Sequence, residues 1–442
     1  MTRPRLSIVI PVWGGEHNLP RLVPSLNEAL DSLVPDREIV VAAGRRSRVG
    51  DVARGLGTEF VSANGSGYGE ILRAGLEAAR GEYVVTMDAD FSHRPGYVRT
   101  MWHHRHRAEV LLGSRYIRGA YAEMKGTRRF ASRLLNFLYR KMLALPYRDL
   151  SSGFRMYQRE VLRDIGPPSG EGLDALPELV VKAYCQGWRI AEVPFWYQGS
   201  KPWTRARMVH LGLGYLKALG RLFALRNSVR AADYDHRAFD SWIPLQRYWQ
   251  RKRFKIIQGF ASDAGWVLDI GCGSSRIVQT LPRVVGMDLA MRKLRWLRAP
   301  GRTLLQGDMN RLPFKDGAFD AVINSEVIEH IPREDVRLSE LVRVIKPGGL
   351  LILGTPDYDK RLWRTLEWVY GKVFPGGYVK EHINRYTYEG LRRELEVEHG
   401  LEVLDVDYVG RSEMIFKARV PPKKARPKRE RKRRAVSVPP AG

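Results

Sequence analysis

Short apolar runs rich in β-branched residues alternate with helical stretches along this chain, and no other feature constrains its fold as strongly. In the first part of the chain these runs are residues 6–11, 38–43 and 83–90, and the stretch 69–80 has helical character. Buried strands that alternate with helices are typical of a mainly parallel sheet covered on both faces. The pattern therefore predicts an α/β fold.

The alternation weakens between residues 203 and 260 and restarts near Gly265. Four further strand candidates follow: WVLDIG (266–271), RVVGMD (283–288), DAVINS (320–325) and GLLILGT (349–355). A chain of 442 residues is too long for a single hydrophobic core. Since no internal repeat links the two halves, we predict two independent α/β domains, residues 1–228 and 229–416.

The stretch 204–225, near the end of the first domain, has the pattern of a basic amphipathic helix. Its apolar side chains near helical spacing are Met208, Leu211, Tyr215, Leu219 and Leu222. Such a helix either packs on its own domain or lies in a membrane interface. The sequence leaves both alternatives open.

The net charge of +26 is concentrated towards the end of the chain. From Lys417 to Arg434 there are eleven Lys or Arg residues against one acid, Glu430. A segment of prolines and basic residues cannot bury a core, so we predict a disordered tail over 417–442. It either serves solubility alone or binds a polyanion. We favour an anionic membrane surface over nucleic acid, because nucleic-acid binding rests on this tail alone.

The remaining bulk features indicate a cytoplasmic protein. The sequence contains no run of about 18 apolar residues of the kind that spans a membrane. Two cysteines, Cys185 and Cys272, are too few for a disulfide framework or a zinc site and are expected to be reduced thiols. We therefore expect a cytoplasmic protein held peripherally at the cytoplasmic face of a membrane.

Two aspartates, Asp88 and Asp90, end the third apolar run of the first domain. In an extended segment, residues i and i+2 point the same way, so both carboxylates face one spot beyond the strand end. Open α/β sheets bind ligands at that edge. Two oxygen ligands suit Mg²⁺ or Mn²⁺ shared with a diphosphate, although acids at strand ends are often only solvated.

The segments around this pair resemble family 2 glycosyltransferases, most closely the dolichyl-phosphate mannosyltransferase branch. They are SIVIPVW (7–13), GYGEILRAG (67–75), GEYVVTMDAD (81–90), GSRY (113–116), DLSSGFR (149–155) and AEVPF (191–195). The resemblance covers about 200 residues and implies a GT-A fold. It also implies metal-dependent, inverting transfer of a sugar from GDP-mannose, a UDP-sugar or another nucleotide sugar to a polyprenyl (dolichyl) phosphate.

The same resemblance assigns roles to individual residues of the first domain. Asp88 and Asp90 would hold the metal, and Arg115 and Arg155 fall in the region that binds the acceptor phosphate. Guanidinium groups suit bidentate phosphate binding, and an ionised phosphate acceptor needs no general base. The further substrate-binding candidates are Pro11, Trp13, Ser152 and Lys201.

Three departures from the family pattern lie on the donor side. Two aspartates usual after the second strand are replaced by Ala42 and Ala43, the expected acid after the first strand falls on Gly15, and Ser92 replaces a glutamine. An alanine side chain cannot accept a hydrogen bond from a nucleotide base. The alternative to an active glycosyltransferase is therefore a non-catalytic binding module attached to the second domain.

The second domain opens with VLDIGCGSS (267–275), a strand that leads into a glycine-rich turn and a helix. Asp288 ends the next strand, 19 residues after Asp269, where a carboxylate can accept hydrogen bonds from a ribose. A single glycine-rich turn could equally belong to a dinucleotide site. The sequence at this point predicts only a Rossmann-like nucleotide site.

Three further segments, GDMNRLPF (307–314), AFDAVINSEVIEHI (318–331) and LVRVIKPGGLLILGTP (341–356), resemble class I methyltransferases of the type-11 group. The resemblance covers about residues 234–408, including a helical lead-in over 245–260, and implies S-adenosylmethionine as cofactor. It places Asp269, Gly271 and Gly273 at the methionine end, Asp288 at the ribose, and Asp308 and Met309 at the adenine. Ser275 replaces the usual third glycine.

The methyl acceptor, a small molecule or a glycan, is not indicated by the sequence. Methyl transfer needs little beyond alignment, because the sulfonium already activates the methyl group. His330, which follows Glu329, and His382 are either bases for a hydroxyl acceptor or structural histidines. The whole pattern predicts a bifunctional transferase.

Overall fold

The computed structural model describes residues 4–45, 47–124, 126–199, 205–373 and 382–422. In the first half, the strands are β1 (Leu6–Val12), β2 (Arg37–Gly44), β3 (Glu59–Ala63), β4 (Tyr83–Thr86), β5 (Val110–Ser114), β6 (Tyr121–Glu123), β7 (Arg155–Gln158), β8 (Ile190–Pro194) and β9 (Trp196–Gln198). Seven of them form a sheet in the order β3-β2-β1-β4-β7-β5-β8, and β6 pairs with β9. Only β7 runs antiparallel to its neighbours in this sheet, β4 and β5.

Helices cover both faces of this sheet. They are α1 (Leu19–Leu30), α2 (Val49–Gly55), α3 (Tyr68–Ala78), α4 (Gly96–His104), α5 (Gly126–Met142), α6 (Arg159–Ile165), α7 (Ala175–Cys185) and α8 (Arg205–Asn227). The strand β1 is buried throughout because its sheet is covered on both sides, which explains why its sequence is continuously apolar. The fold is of the GT-A type.

The second half forms another seven-stranded sheet. Its strands are β10 (Val267–Ile270), β11 (Val284–Asp288), β12 (Thr303–Gln306), β13 (Phe319–Ser325), β14 (Ile345–Pro356), β15 (Glu402–Val409) and β16 (Glu413–Arg419). The order is β12-β11-β10-β13-β14-β16-β15, and β16 is antiparallel to both neighbours. This is a Rossmann-like methyltransferase sheet, and the predicted order of two α/β folds is confirmed.

The helices of the second half are α9 (Tyr234–Phe239), α10 (Pro244–Ala261), α11 (Ile277–Thr280), α12 (Met291–Leu297), α13 (Leu338–Val344), α14 (Arg361–Val373) and α15 (Tyr388–Arg393). Short 3-10 turns lie at Glu16–Asn18, Ile328–His330 and Arg333–Asp335, and a π turn at Glu394–Glu398. The predicted lead-in helix over 245–260 corresponds to α10. Within the described residues, no helix is both long and apolar enough to span a membrane.

Two details differ from the sequence prediction. The strand β4 ends at Thr86, so Asp88 and Asp90 lie in the turn that follows it rather than in extended backbone. At the other end of the chain, β16 runs to Arg419, three residues beyond the predicted domain end at 416. It continues because Lys417 and Arg419 extend the antiparallel ladder with β14. The domain limits otherwise stay predictions.

The helix α8 packs its predicted apolar face on its own domain. Tyr215, Leu219 and Leu222 are buried in a core cluster of the first half, and the Tyr139 hydroxyl donates a 2.5 Å hydrogen bond to the Tyr215 carbonyl. Apolar side chains also remain exposed on this helix, at Leu213, Leu216 and Phe223 among others. The packing alternative is therefore observed, and a second apolar face is left towards solvent.

The two halves contact one another through charged and aromatic side chains. Arg295 of α12 lies 2.6 Å from Asp164, and Arg298 lies 3.2 Å from Glu109. The guanidinium of Arg295 also stacks 3.9 Å from the ring centroid of Trp188. These contacts place the second half against the end of α6, the residue before β5 and the loop between α7 and β8.

Candidate active sites

The turn after β4 holds Asp88 in a tight network. Asp88 accepts a 3.1 Å hydrogen bond from the Tyr68 hydroxyl, and its backbone N–H donates to Nδ1 of His93 at 3.1 Å. A Cβ on Gly153 would lie 2.9 Å from the Tyr68 oxygen and 3.1 Å from Asp88 Oδ1, so only glycine fits there without a shift. The carboxylate is thereby held in one position by three segments of the chain.

The electrostatics of this turn favour a bound cation. Burial and the nearby charge of Asp90 raise the pKa of Asp88 to about 7. Burial lowers the pKa of His93 to about 4, which keeps its ring neutral and its Nδ1 an acceptor. Two close carboxylates with oxygen donors only suit a hard divalent ion such as Mg²⁺ or Mn²⁺. The residues present therefore fit the metal that the sequence predicts.

Ser92, which replaces the family glutamine, shapes the turn through its backbone. Its N–H donates a 3.0 Å hydrogen bond to Asp90 Oδ1, which fixes the second carboxylate. Its hydroxyl is 1% exposed and has no hydrogen-bond partner among the described residues. The smaller side chain therefore leaves a buried polar atom at the edge of the turn that holds Asp88 and Asp90.

Arg115 is part of a buried ion pair. Its guanidinium donates two 2.7 Å hydrogen bonds to the two carboxylate oxygens of Asp149 and a third, at 2.8 Å, to the Ser151 hydroxyl. Its positive charge also acts to lower the pKa of Asp88. The geometry therefore places Arg115 beside the predicted metal turn, with most of its donors already occupied. Its contact with an acceptor phosphate stays a prediction.

Arg155 is buried next to the same site and uses its donors within the fold. It is 0% exposed, and its guanidinium donates to the backbone carbonyls of Leu150, Ser152 and Leu176 and to the Tyr157 hydroxyl. Every donor nitrogen is used within the fold because two loops turn their carbonyls towards it. Arg155 thereby holds the 149–155 loop. Its contact with the acceptor phosphate stays a prediction.

We expect Arg155→Lys to destabilise the first domain by about 3 kcal/mol, because each buried carbonyl left without a donor costs about 1–3 kcal/mol. Denaturant unfolding of the full chain measures this change. Arg163→Lys on α6 is the control and is expected to leave unfolding unchanged. An Arg155→Lys protein of normal stability that no longer binds acceptor would contradict the structural role.

The other predicted substrate residues of the first domain differ in accessibility. Pro11 is buried in β1 and Ser152 is buried, its hydroxyl accepting from the Phe154 N–H at 3.3 Å. Trp13 is partly exposed and packs edge-on against the Tyr68 ring, 6.0 Å between centroids. Lys201 lies outside the described residues. Of the three described residues, Pro11, Trp13 and Ser152, it is Trp13 that lies both at the surface and next to the Asp88 network.

Ala42 and Ala43 are fully buried within β2. Ala43 belongs to the main core of the first half, and Ala42 packs with Ala63 and Ile71, against which Trp13 also lies. The side chains that replace the family aspartates therefore face packed apolar neighbours. Recognition of a nucleotide base through this strand can involve only its backbone.

The sequence analysis missed a cluster of arginines on and near α5. A cavity of about 280 Å³ is lined by Tyr116, Arg133, Asn136, Phe137, Arg140 and Arg148. None of these described lining residues is acidic. Tyr116 directly follows Arg115, whose positive charge acts on Asp88 in the turn after β4. The available signal was the basic, amphipathic pattern of 126–142 between two family motifs.

In the second half, the glycine-rich turn after β10 lies against Asp269. Asp269 is 5% exposed and its Oδ2 has no hydrogen-bond partner among the described residues. Burial, and then the charge of Asp288, raise the pKa of Asp269 to about 8. A buried carboxylate oxygen without a partner suits the ammonium group at the methionine end of S-adenosylmethionine.

Gly271 and Gly273 form the backbone cradle of this site. Both have left-handed φ angles, +67° and +54°, which favour glycine. A Cβ on Gly271 would lie 2.2 Å from Val327 Cγ2, so the turn after β13 approaches the cradle closely. The Gly273 N–H donates at 2.8 Å to Asp288 Oδ2, which joins the two predicted cofactor segments.

The remaining predicted cofactor residues lie at the ends of neighbouring strands. Asp288 also accepts a 2.7 Å bond from the Ala290 N–H, while Asp308 is exposed and Met309 is buried with Asn324. These positions line one edge of the second sheet. Their contacts with the ribose and adenine stay predictions.

Asp235 is a residue of this site that sequence reasoning missed. From α9 it accepts hydrogen bonds of 3.0 Å from the Ser274 N–H, the Ser274 hydroxyl and Lys293 Nζ. Lys293 and these hydrogen bonds hold the pKa of Asp235 at about 2 against the effect of burial. Asp235 on α9 thus fixes the glycine-rich turn through Ser274. The sequence around Asp235 contains no motif that would have marked this role.

Comparison with known proteins gives the family of each half. Residues 7–166 match the Glycosyl transferase family 2, and residues 268–353 match the Methyltransf_11 methyltransferase domain. The chain belongs to both families. It therefore combines a glycosyltransferase domain with an S-adenosylmethionine-dependent methyltransferase domain in one bifunctional transferase.

Individual relatives match one half each. A Haloferax volcanii dolichyl-phosphate hexose transferase is 30% identical over 190 residues, which are 42% of this chain and 80% of that protein. An Encephalitozoon cuniculi protein described as a methyltransferase is 30% identical over 184 residues, 39% of this chain and 86% of the relative. A Mycolicibacterium smegmatis protein described as an S-adenosylmethionine-dependent methyltransferase is 32% identical over 25% of this chain, which spans only 47% of that relative.

Among solved structures, the glucosyl-3-phosphoglycerate synthase of Mycobacterium tuberculosis, in complex with Mn²⁺, UDP and phosphoglyceric acid, covers 50% of this chain. The match includes 78% of that protein at 18% identity, with a TM-score of 0.41.

Proposed function

We propose that the first domain transfers a sugar from a nucleotide sugar to a polyprenyl phosphate. The observation that carries the proposal is the arginine-lined cavity of Arg133, Arg140 and Arg148. Tyr116 in its lining directly follows Arg115, whose positive charge acts on Asp88. Similarity to the Haloferax volcanii dolichyl-phosphate hexose transferase supports the same acceptor class.

Each part of this site has a task in the proposed reaction. Asp88 and Asp90 hold Mg²⁺ or Mn²⁺, which supplies charge stabilisation for the nucleoside diphosphate leaving group. The arginines of the cavity hold the acceptor phosphate by charge-assisted hydrogen bonds. Because that phosphate is ionised near neutral pH, its oxygen can attack without a general base. Arg115, fixed by Asp149, keeps Tyr116 at the passage between the two subsites.

Exposed apolar side chains on α5 and α8 support the proposal that the cavity works at a membrane surface. On α5 and α8 these side chains are Phe130, Leu134, Phe137, Leu138, Met142, Leu213, Leu216 and Phe223. Arginines and lysines on the same helices suit anionic headgroups around such an apolar face. A polyprenyl chain anchored in the bilayer would then present its phosphate directly to the cavity. Flotation with vesicles tests this placement, and binding that ignores lipid charge would count against it.

In the second domain we propose S-adenosylmethionine-dependent methylation of a small molecule or a glycan. The cofactor supplies an activated methyl group. Asp269 faces its ammonium group, the Gly271–Gly273 backbone allows its close approach, and Asp288 accepts from its ribose. Val327, which lies against Gly271, lines the side of the cofactor site where the methyl acceptor would bind.

We expect Arg140→Ala to raise the KM for polyprenyl phosphate about tenfold, since a charged hydrogen bond contributes about 1.5–3 kcal/mol. Initial rates of transfer from a panel of GDP- and UDP-sugars to a polyprenyl phosphate in vesicles measure this. Hydrolysis of the donor in water is expected to stay unchanged, because the cavity does not touch the metal pair.

Lys141→Ala is the matched control, because Lys141 is the next residue on α5 and does not line the cavity. An unchanged KM in Arg140→Ala would contradict the cavity as the acceptor site. The absence of transfer and of hydrolysis with every donor would favour the non-catalytic binding module.

A further inference from the structure

Three ligating side chains converge at the end of β13 in the second domain. Ligand atoms of Glu329, His330 and His382 all lie within 4.8 Å of one another. The two imidazole rings are 5.0 Å apart between centroids. The methyltransferase chemistry described above uses none of these side chains.

Glu329 adds an observation that points to a ligand. It is 0% exposed, and its Oε2 accepts a 3.1 Å bond from the Thr355 hydroxyl. Its Oε1 is buried and has no hydrogen-bond partner among the described residues, and the same holds for Oε1 of Glu326. Leaving a buried carboxylate oxygen unpaired is costly, and a cation bound to Glu329 would remove that cost.

A single arginine, Arg253, is shared among the acidic side chains next to this cluster. Arg253 lies 3.1 Å from Glu326 Oε2 and donates a 2.7 Å bond to Glu413 Oε2. One guanidinium therefore serves two of three neighbouring carboxyl groups, the partly buried Glu326 and the buried Glu413. The third carboxylate, Glu329, is the one that lies against the histidines.

The histidine His382 is oriented as metal-binding histidines commonly are. Its Nδ1 lies 3.0 Å from Glu367 Oε1 and 3.1 Å from the Tyr358 hydroxyl, which directs its Nε2 to the other side of the ring. A carboxylate on the far nitrogen fixes the ring and raises its basicity as a ligand. The backbone N–H groups of Ile383 and Asn384 both donate to the Glu329 carbonyl, at 2.8 and 3.0 Å. The two ligand segments are thus tied together.

We propose that Glu329, His330 and His382 bind a divalent transition-metal ion that holds an oxygen of the methyl acceptor. Two imidazoles and a carboxylate select borderline ions such as Zn²⁺, Fe²⁺ or Co²⁺ over Mg²⁺ and Ca²⁺. The site differs in ligand chemistry from the all-oxygen pair Asp88 and Asp90. This inference rests on the proposed methyltransferase function and names its acceptor class as a hydroxyl compound.

The location of the site fits this use. The strand β13 pairs with β10, and Ile270 lies opposite Asn324 at the carboxyl ends of both strands. Val327, between the strand end and Glu329, reaches the cradle at Gly271. A metal held by Glu329 and the histidines is therefore next to the place where the methyl group is presented.

The reaction balances without a further reactant. Coordination lowers the pKa of the acceptor hydroxyl, and its proton leaves to water. An oxygen lone pair then forms the new O–C bond while the C–S bond breaks. The electron pair of that bond stays on sulfur, and S-adenosylhomocysteine is released.

Metal binding is tested with Co²⁺ alone on the full chain carrying Asp90→Asn, which removes the other predicted metal site. Visible absorption and calorimetry are expected to show one Co²⁺ per chain. We expect His330→Ala and His382→Ala to weaken Co²⁺ binding about 100-fold and Glu367→Gln about tenfold, because removal of an orienting partner costs about 10–100-fold in affinity. His399→Ala is the control and should leave Co²⁺ affinity unchanged.

Binding of S-adenosylhomocysteine to each variant reports whether the second domain is intact. Co²⁺ affinity that is unchanged by His330→Ala and His382→Ala would overturn the inference. If a histidine variant does not fold, Glu329→Gln and the Co²⁺-shifted imidazole N–H proton signals of the parent chain decide instead. Their absence overturns the inference as well.

Failure of the inference and failure of the proposed function are distinguishable. A chain that binds S-adenosylhomocysteine but no Co²⁺ refutes the metal site and leaves the methyltransferase proposal standing. A chain that binds neither refutes both. Co²⁺ binding together with methylation of a hydroxyl compound that stops on chelation supports both.

Discussion

A chain carrying Asp90→Asn is expected to transfer sugar about 10²–10³-fold more slowly than the wild type, the usual cost of removing one electrostatic contact at a developing charge. Asp90 is one of two proposed metal ligands, and its carboxylate is fixed by the Ser92 N–H. An amide in its place is a weak ligand for a hard divalent ion. Transfer rates with Mn²⁺ present measure the effect.

The loss should be confined to the first domain. Affinity for S-adenosylhomocysteine is expected to stay unchanged, because the cofactor residues lie on a separate sheet. Asp51→Asn on α2 is the control, since Asp51 is an exposed acid paired with Arg54 at the surface. Equal losses of sugar transfer and of cofactor binding in Asp90→Asn would indicate unfolding instead. Full activity in this variant would refute the metal pair.

The turn after β4, which holds Asp88 and Asp90, illustrates what the sequence can predict. Its position follows from a local rule, because a short apolar strand ending in acids places those acids at the ligand-binding edge of the sheet. The strand stops two residues before Asp88, and the turn orients the carboxylates instead of the pleat. The sequence therefore predicted where Asp88 and Asp90 lie in the fold. It did not predict that a turn, rather than the strand pleat, orients their carboxylates.

Arg155 shows why a motif alone does not fix a role. The sequence places it beside the acceptor segment, but its partners include the carbonyl of Leu176, which comes from the start of α7. Such partners follow from packing between distant segments. The arginines of the cavity were missed for the same reason, since only the position of α5 brings Arg133 and Arg140 to Arg148.

The second domain was more predictable because its site is built largely from one strand–turn–helix unit. Gly271 and Gly273 adopt the left-handed φ angles that a glycine-rich turn implies. Asp235 and the orphaned oxygen of Glu329 were not predictable, since both depend on residues far apart in the chain. Contacts between charged groups that are far apart in the chain are therefore known only from the structure.

We expect Asp269→Asn to weaken S-adenosylmethionine binding about 10–100-fold near pH 8, because a charged hydrogen bond contributes about 1.5–3 kcal/mol. Asp269 presents a buried carboxylate oxygen near the end of β10, and no described residue hydrogen-bonds to it. Asparagine keeps the shape of the side chain but removes the negative charge that faces the ammonium group. Calorimetric titration of the full chain with the cofactor measures the loss.

The pH dependence provides a second readout of the same carboxylate. Its pKa of about 8 in the free protein means that it carries a proton at neutral pH. A cationic ligand favours the ionised form, so binding must expel that proton below pH 8. Affinity is therefore expected to rise with pH between about pH 6 and 7.5, by up to tenfold per unit.

In Asp269→Asn this rise should disappear, because the variant has no proton to expel at that position. Asp263→Asn, at an exposed acid in the loop before β10, should keep the wild-type slope and affinity. A slope that persists in Asp269→Asn would assign the titration to another group, with Asp288 the nearest candidate because its charge already acts on Asp269. Wild-type affinity that does not change with pH would mean that the cofactor ammonium binds elsewhere than at Asp269.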